Sequence, residues 1–132
     1  MAFRVHRPET LPWRKIGDIE MGWMRGHIDP TELEGHLAIH EGGDADTPQL
    51  LEMRLNPHTL IAPHSHDLGE IIYIVEGSLH WGEHGLEAGG SMFIPANTPY
   101  SFHAGDRGVR LLNIRARDDH SFIPAVAGSN PS

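Results

Sequence analysis

No stretch of this 132-residue chain sustains the 3.6-residue apolar period of an amphipathic helix. Fifteen glycines and ten prolines interrupt it every few residues, leaving short runs that either alternate or are wholly apolar. Leu51, Met53 and Leu55 share one face of such a run, while Glu52 and Arg54 share the other, as in a half-buried strand. Further strands are expected over 59–62, 70–75, 78–81, 92–94, 100–103 and 109–114. Turn residues separate them at Glu76-Gly77, His84-Gly85, Gly89-Gly90, 95–99 and 104–108. Only Asp29-Pro30-Thr31-Glu32 reads as a helix start, with Asp29 as N-cap and Pro30 in the first turn, and Gly35 ends it after one turn.

Many short strands with regular turn signals specify an all-β sandwich or barrel of the jelly-roll type. The length fits a single domain with a core of its own. Cysteine is absent, which excludes disulfides and thiolate chemistry. Eighteen acidic against ten basic residues give a formal charge of −8, which argues against a nucleic-acid partner. The first residues contain no apolar signal core and no run spans a membrane, so a cytoplasmic location is expected. Nine of the ten basic residues are arginine; Arg107, Arg110, Arg115 and Arg117 are read as solvated outer-face positions, or else as a grip for an anionic substrate.

The segment His64-Ser65-His66-Asp67-Leu68-Gly69-Glu70, followed by an apolar β-branched run closed by Gly77, carries the chemistry. On a strand, the two-residue spacing puts both imidazoles on one face, and the turn before Glu70 can bring its carboxylate to them. Two imidazoles and a carboxylate aimed at one point are a partial coordination sphere for a divalent transition metal, the set used by non-haem iron oxygenases. In a chain with eleven histidines such a pair can also arise by chance on a wet surface; the spacing of Glu70 and the strand that follows favour the ligand reading.

The run from Pro63 to Gly77 resembles the first signature of the cupin superfamily: His-x-His, three residues, Glu, six residues, Gly. The run from Gly89 to His103 is similar to the second signature in its Gly89 and Pro95. The resemblance covers roughly Leu50 to Arg115 and implies a barrel core at about 37–117, an N-terminal arm over 1–36 and a fraying tail over 125–132. His58 and Asn97 stand where the family pattern has glycines, and Asn97 tolerates the left-handed conformation. Tyr100 stands where the family places its last histidine. If Tyr100 points inward then Phe102 does too, and His103 points out unless a bulge intervenes. The expected metal residues are therefore His64, His66 and Glu70, with Tyr100 beside them as a catalytic hydrogen-bond donor and His103 as the alternative third imidazole.

Leu79, Trp81, Ile72, Ile74, Met92 and Phe102 are read as core or pocket lining, and His80 as facing away from Leu79 and Trp81. His6, His27, His36, His40, His84 and His120 are read as surface, and Trp13 and Trp23 as packing or subunit-contact residues. The resemblance implies one divalent metal, iron(II) first, with manganese, nickel or zinc as alternatives, and a homodimer. The leading expectation is a mononuclear dioxygenase acting on a small organic acid, diketone or phenolic compound. A redox-neutral isomerase, lyase or cyclase, or a non-enzymatic sensor, uses the same shell.

Overall fold

A computed structural model describes residues 2–125. The strands are β1 (Arg14–Lys15), β2 (His36–Glu41), β3 (Gln49–Leu55), β4 (Leu60–Ser65), β5 (Glu70–Trp81), β6 (His84–Glu87), β7 (Ser91–Ile94), β8 (Tyr100–Arg115) and β9 (Ile123–Pro124). Every described pairing is antiparallel. Among the described residues the one α-helix, α1, covers Pro30–Leu33; Asp29 caps it by accepting the Thr31 N–H at 2.9 Å.

The long strand β8 organises the barrel. One of its edges carries β3, from Gln49↔Arg115 to Leu55↔Val109, and then β4, from His64↔Tyr100 to Leu60↔His103. The other edge carries β5 along nearly its whole length. Where β8 turns from β3 to β4, Gly108 (φ +75°) lies against Gly77 (φ +76°) of β5. A Cβ on Gly77 would lie 2.1 Å from the Gly108 carbonyl oxygen, so the two backbones meet only because Gly77 has no side chain. The expected strand pairs 70–75 with 78–81, and 100–103 with 109–114, thus fuse into single kinked strands. Glycines that signal turns in sequence are bulges here, because the ladder resumes beyond them.

The interior holds Ile72, Ile74, Leu79, Ile94, Phe102, Leu111 and Val109, with Trp81 and Met92 packed against them. Before β2 the arm forms three short 3₁₀ turns rather than a period any pattern would show. It is nevertheless anchored: Ile16 is buried, and its N–H donates to the Gly35 carbonyl at 2.8 Å. Arg54 lies 4.2 Å above the Trp13 ring, a stacking role consistent with packing. Of the expected fraying tail only Ala125 falls among the described residues, and it donates its N–H to the Pro63 carbonyl.

His58 (φ 62°) and Asn97 (φ 58°) are the described non-glycine residues with positive φ. These are the two positions where the family pattern has glycine, so the backbone shape is kept while the residue is not. Asn97 is well suited to it; an exposed histidine carries the usual Cβ penalty. Replacing His58 with glycine is expected to stabilise the fold by about 0.5–1 kcal/mol, the relief exceeding the entropy that glycine adds to the unfolded chain. Thermal unfolding should show a rise of roughly 2–4 °C; an unchanged or lower midpoint would show that the site is not strained.

Candidate functional site

His64 lies near the end of β4 and His66 just beyond it. Their rings meet edge to face, and the two Nε2 atoms are 3.0 Å apart. Each Nδ1 is committed elsewhere: that of His64 lies 2.7 Å from the Ala62 carbonyl, and that of His66 2.5 Å from the Ser121 carbonyl. A carbonyl only accepts, so each neutral ring places its proton on Nδ1 and leaves a bare lone pair on Nε2. Burial holds the His64 imidazole down to about 4, and lowers that of His66, so both rings are neutral near pH 7. Two lone pairs 3.0 Å apart repel unless a cation lies between them.

Glu70 opens β5 and is buried at the same end of the barrel. Its Oε1 accepts from the Tyr100 hydroxyl at 2.6 Å. Its Oε2 accepts from Asn113 Nδ2 at 3.1 Å and from the Arg115 guanidinium at 2.9 Å. Arg115 also donates to Gln49 Oε1 at 2.8 Å. The structure thus joins the two imidazoles but binds Glu70 into a separate network. Among the described residues no three of His, Asp and Glu gather into a group able to hold a metal. Three donors hold the Glu70 carboxylate where it is.

Tyr100 lies where parity puts it, buried with its ring 4.5 Å from that of His64. Burial, reinforced by Glu70, drives the phenol well above its usual range, so it stays a neutral donor. His103 does not enter the site. It is exposed on the opposite face of β8, where its ring stacks on His80 at 5.5 Å, and it lines a separate surface cavity. No bulge rotates it inward, because Leu60↔His103 and Ile61↔Phe102 stay in plain register.

His64, His66 and Tyr100 line a cavity of about 320 Å³. The arm closes it with Ile16, Ile19, Met21, Met24 and Ile28, and the barrel contributes Ile61, Ile72 and Leu111. Phe122 stacks on His64 at 4.6 Å. Of the residues read as core or pocket lining, Ile72 lines this cavity, while Leu79, Ile74, Trp81, Met92 and Phe102 pack in or against the core. Arg115 corrects the outer-face reading of the arginines: it is 7% exposed and inside the barrel, while Arg107 and Arg117 are exposed. Arg110 pairs with Glu52 on the other face. His40 is also withdrawn from the surface, bonded to Glu52 at 2.8 Å, and His120 borders the cavity.

Sequence reasoning missed Asn113, Ser121, Phe122 and Glu32. The last is on α1 and reaches the cavity with no hydrogen-bond partner among the described residues. Its one signal was the acidic residue three places after the Asp29 cap, where a capping-box side chain normally folds back.

The family described as Cupin domain matches residues 51–115 by sequence. No curated protein matches the chain. Among solved structures, the polyketide cyclase RemF from Streptomyces resistomycificus superposes with a TM-score of 0.69 at 22% identity, covering 99% of this chain and 90% of that one. A variant of the oxalate decarboxylase of Bacillus subtilis gives 0.60 at 18% identity over 69% of this chain. The match spans only 28% of the decarboxylase's own length. A further structure of that enzyme, studied for its Mn(II) centres, gives 0.58 at 19% identity over 68% of this chain and 28% of that one. With its signature residues on β4 and β5 of an antiparallel jelly roll, this chain belongs to the cupin superfamily.

Proposed function

We propose that the protein is a metal-dependent enzyme in which His64 and His66 hold one divalent transition metal, and that it catalyses redox-neutral ring closure or a related aldol-type reaction on an apolar, enolisable ketone. One observation carries the metal: two imidazoles fixed by backbone carbonyls present convergent lone pairs 3.0 Å apart. Two nitrogens each about 2.1 Å from a common ion, at an angle near 90°, have that separation. The carbonyl acceptors behind them are the usual outer partners of metal-bound histidines. Glu70 supplies compensating negative charge and, on releasing the Tyr100 hydroxyl, a third donor oxygen.

When bound, the metal supplies Lewis acidity that polarises a carbonyl and acidifies the neighbouring C–H. The chain supplies the rest. The isoleucines and methionines of the arm desolvate an apolar substrate, Phe122 fixes the His64 plane, and Tyr100 stands ready to donate to a developing oxyanion. Arg115 also lines the cavity; its two terminal nitrogens donate to Gln49 and Glu70, while its buried Nε has no hydrogen-bond partner among the described residues. The fit of nearly the whole chain, arm included, to a polyketide cyclase supports an apolar polyketide-like substrate.

Metal titration into chelator-treated protein tests the reading. One equivalent is expected to bind to the wild type, His64→Ala and His66→Ala should each lose it, and His103→Ala should keep it. Absence of stoichiometric uptake of manganese, iron(II), nickel or zinc by the wild type would end the proposal. The dioxygenase reading keeps a claim because the same two histidines and Glu70 leave adjacent open positions. Oxygen consumption by iron-loaded protein with a β-diketone separates the two, and none is expected.

A further inference from the structure

Two carboxyl side chains outside the proposed metal site line the cavity; Glu20 is exposed to solvent, whereas Glu32 is partly buried. Glu32 stands at the third position of α1, where a glutamate three residues after an Asp N-cap usually bonds back to the cap's N–H. Here it does not, and its side chain turns into the cavity lined by His64, His66 and Tyr100. The helix that carries it is fixed on both sides. Thr31 donates its hydroxyl to Asp29 and accepts the Leu60 N–H of β4 at 2.9 Å, which pins α1 to the strand leading to His64. The carboxyl is therefore held in place, yet none of the described residues hydrogen-bonds to it. Partial burial, with Asp29 nearby, raises it to about 7, so it exchanges protons readily at neutral pH.

Resting on the metal-dependent reading above, we propose that Glu32 is the general base of this pocket, taking the proton from the carbon beside the carbonyl of a bound ketone. The C–H bond breaks onto Glu32, its electron pair becomes the C=C bond of an enolate, and the carbonyl π pair moves onto oxygen. Glu32, now a carboxylic acid, returns the proton to carbon in the reverse direction. In ring closure the enolate carbon attacks a second carbonyl, and Glu32 gives the proton to the alkoxide that forms. Atoms and charge balance without an added oxidant or reductant. Tyr100, on the neighbouring wall, is a separate donor for oxygen rather than a rival base, because it stays protonated.

The test uses 1,2-diphenylethanone, an apolar ketone whose methylene exchanges slowly in neutral water, as the probe. Metal content and probe affinity are measured first, then incorporation of deuterium from D₂O by NMR. Metal-loaded wild type is expected to accelerate exchange, and Glu32→Gln to lose about 10²–10⁴-fold of that rate with metal content and probe affinity unchanged. Glu32→Ala should regain part of the rate with added formate, which a merely structural carboxyl would not allow. Exchange in Glu32→Gln at the wild-type rate overturns the inference and leaves the metal site standing. So does a wild type that binds metal and probe but exchanges no faster than solution. A wild type that takes up no metal ends the underlying reading, and this inference with it, and is recognised at the first measurement.

Discussion

Replacing Arg115 with alanine is expected to lower stability by about 3–5 kcal/mol, the cost of leaving a buried carboxylate without its counter-charge. The guanidinium bridges Gln49 of β3 and Glu70 of β5 from the end of β8, so it ties three strands at the mouth of the barrel. Removing it leaves Glu70, 2% exposed, with only the neutral donors Tyr100 and Asn113. The melting midpoint should fall by roughly 10–15 °C. Arg115→Lys should recover little of this, since one ammonium cannot reproduce a planar fork that reaches two acceptors. The double replacement Glu70→Leu with Arg115→Met should recover most of it, because neither charge is then buried. Circular dichroism melts of the wild type and the three variants measure these differences. A loss below about 1 kcal/mol in Arg115→Ala would mean that water reaches Glu70 and the network is not the dry cluster described.

The same network shows where the sequence stops being informative. Period-two parity located Tyr100 inside and His103 outside, and the two-residue spacing brought His64 and His66 together, because those relations are local and survive any register. Asp29 and Pro30 marked the helix for the same reason. The fate of Glu70 was not readable, because its partners lie 30, 43 and 45 residues away and meet it only once β5 and β8 pair in one register. Arg115 looked like an outer-face residue because arginine is usually solvated; its inward turn depends on Gln49 and Glu70 being opposite it. The cavity lid escaped for another reason. Residues 16–28 have no strand or helix period, and their apolar side chains reveal a common face only after 3₁₀ turns fold them across the barrel mouth.

Acid should act on this site through two opposing groups, and separating them is the second large effect. His64 has a folded-state value near 4 against about 6.5 unfolded, so between these pH values the unfolded chain binds the extra proton. Its contribution is present above pH 6.5 and is lost as pH falls toward 4. That difference is worth about 3 kcal/mol. Glu32 runs the other way: its folded value near 7 exceeds the unfolded one near 4.5. Its contribution is therefore full below pH 4.5 and is lost as pH rises through 7, an effect of similar size reduced by its partial exposure. In the metal-free wild type the contributions of His64 and Glu32 offset each other between pH 4.5 and 6.5, and the remaining loss on acidification comes from groups such as His66, whose imidazole burial also lowers. Glu32→Gln removes one arm, so that variant should lose about 2–3 kcal/mol of stability between pH 6.5 and 4.5 relative to wild type. His64→Phe removes the other and should gain stability over the same interval, again relative to wild type. Bound metal adds stability at neutral pH, about 2.7 kcal/mol when free metal is 100-fold above Kd, and protons competing for the same Nε2 atoms should strip it away on acidification. Denaturant titrations at half-unit pH steps give all three curves. Parallel profiles for wild type, Glu32→Gln and His64→Phe would show that neither group is desolvated in the folded protein.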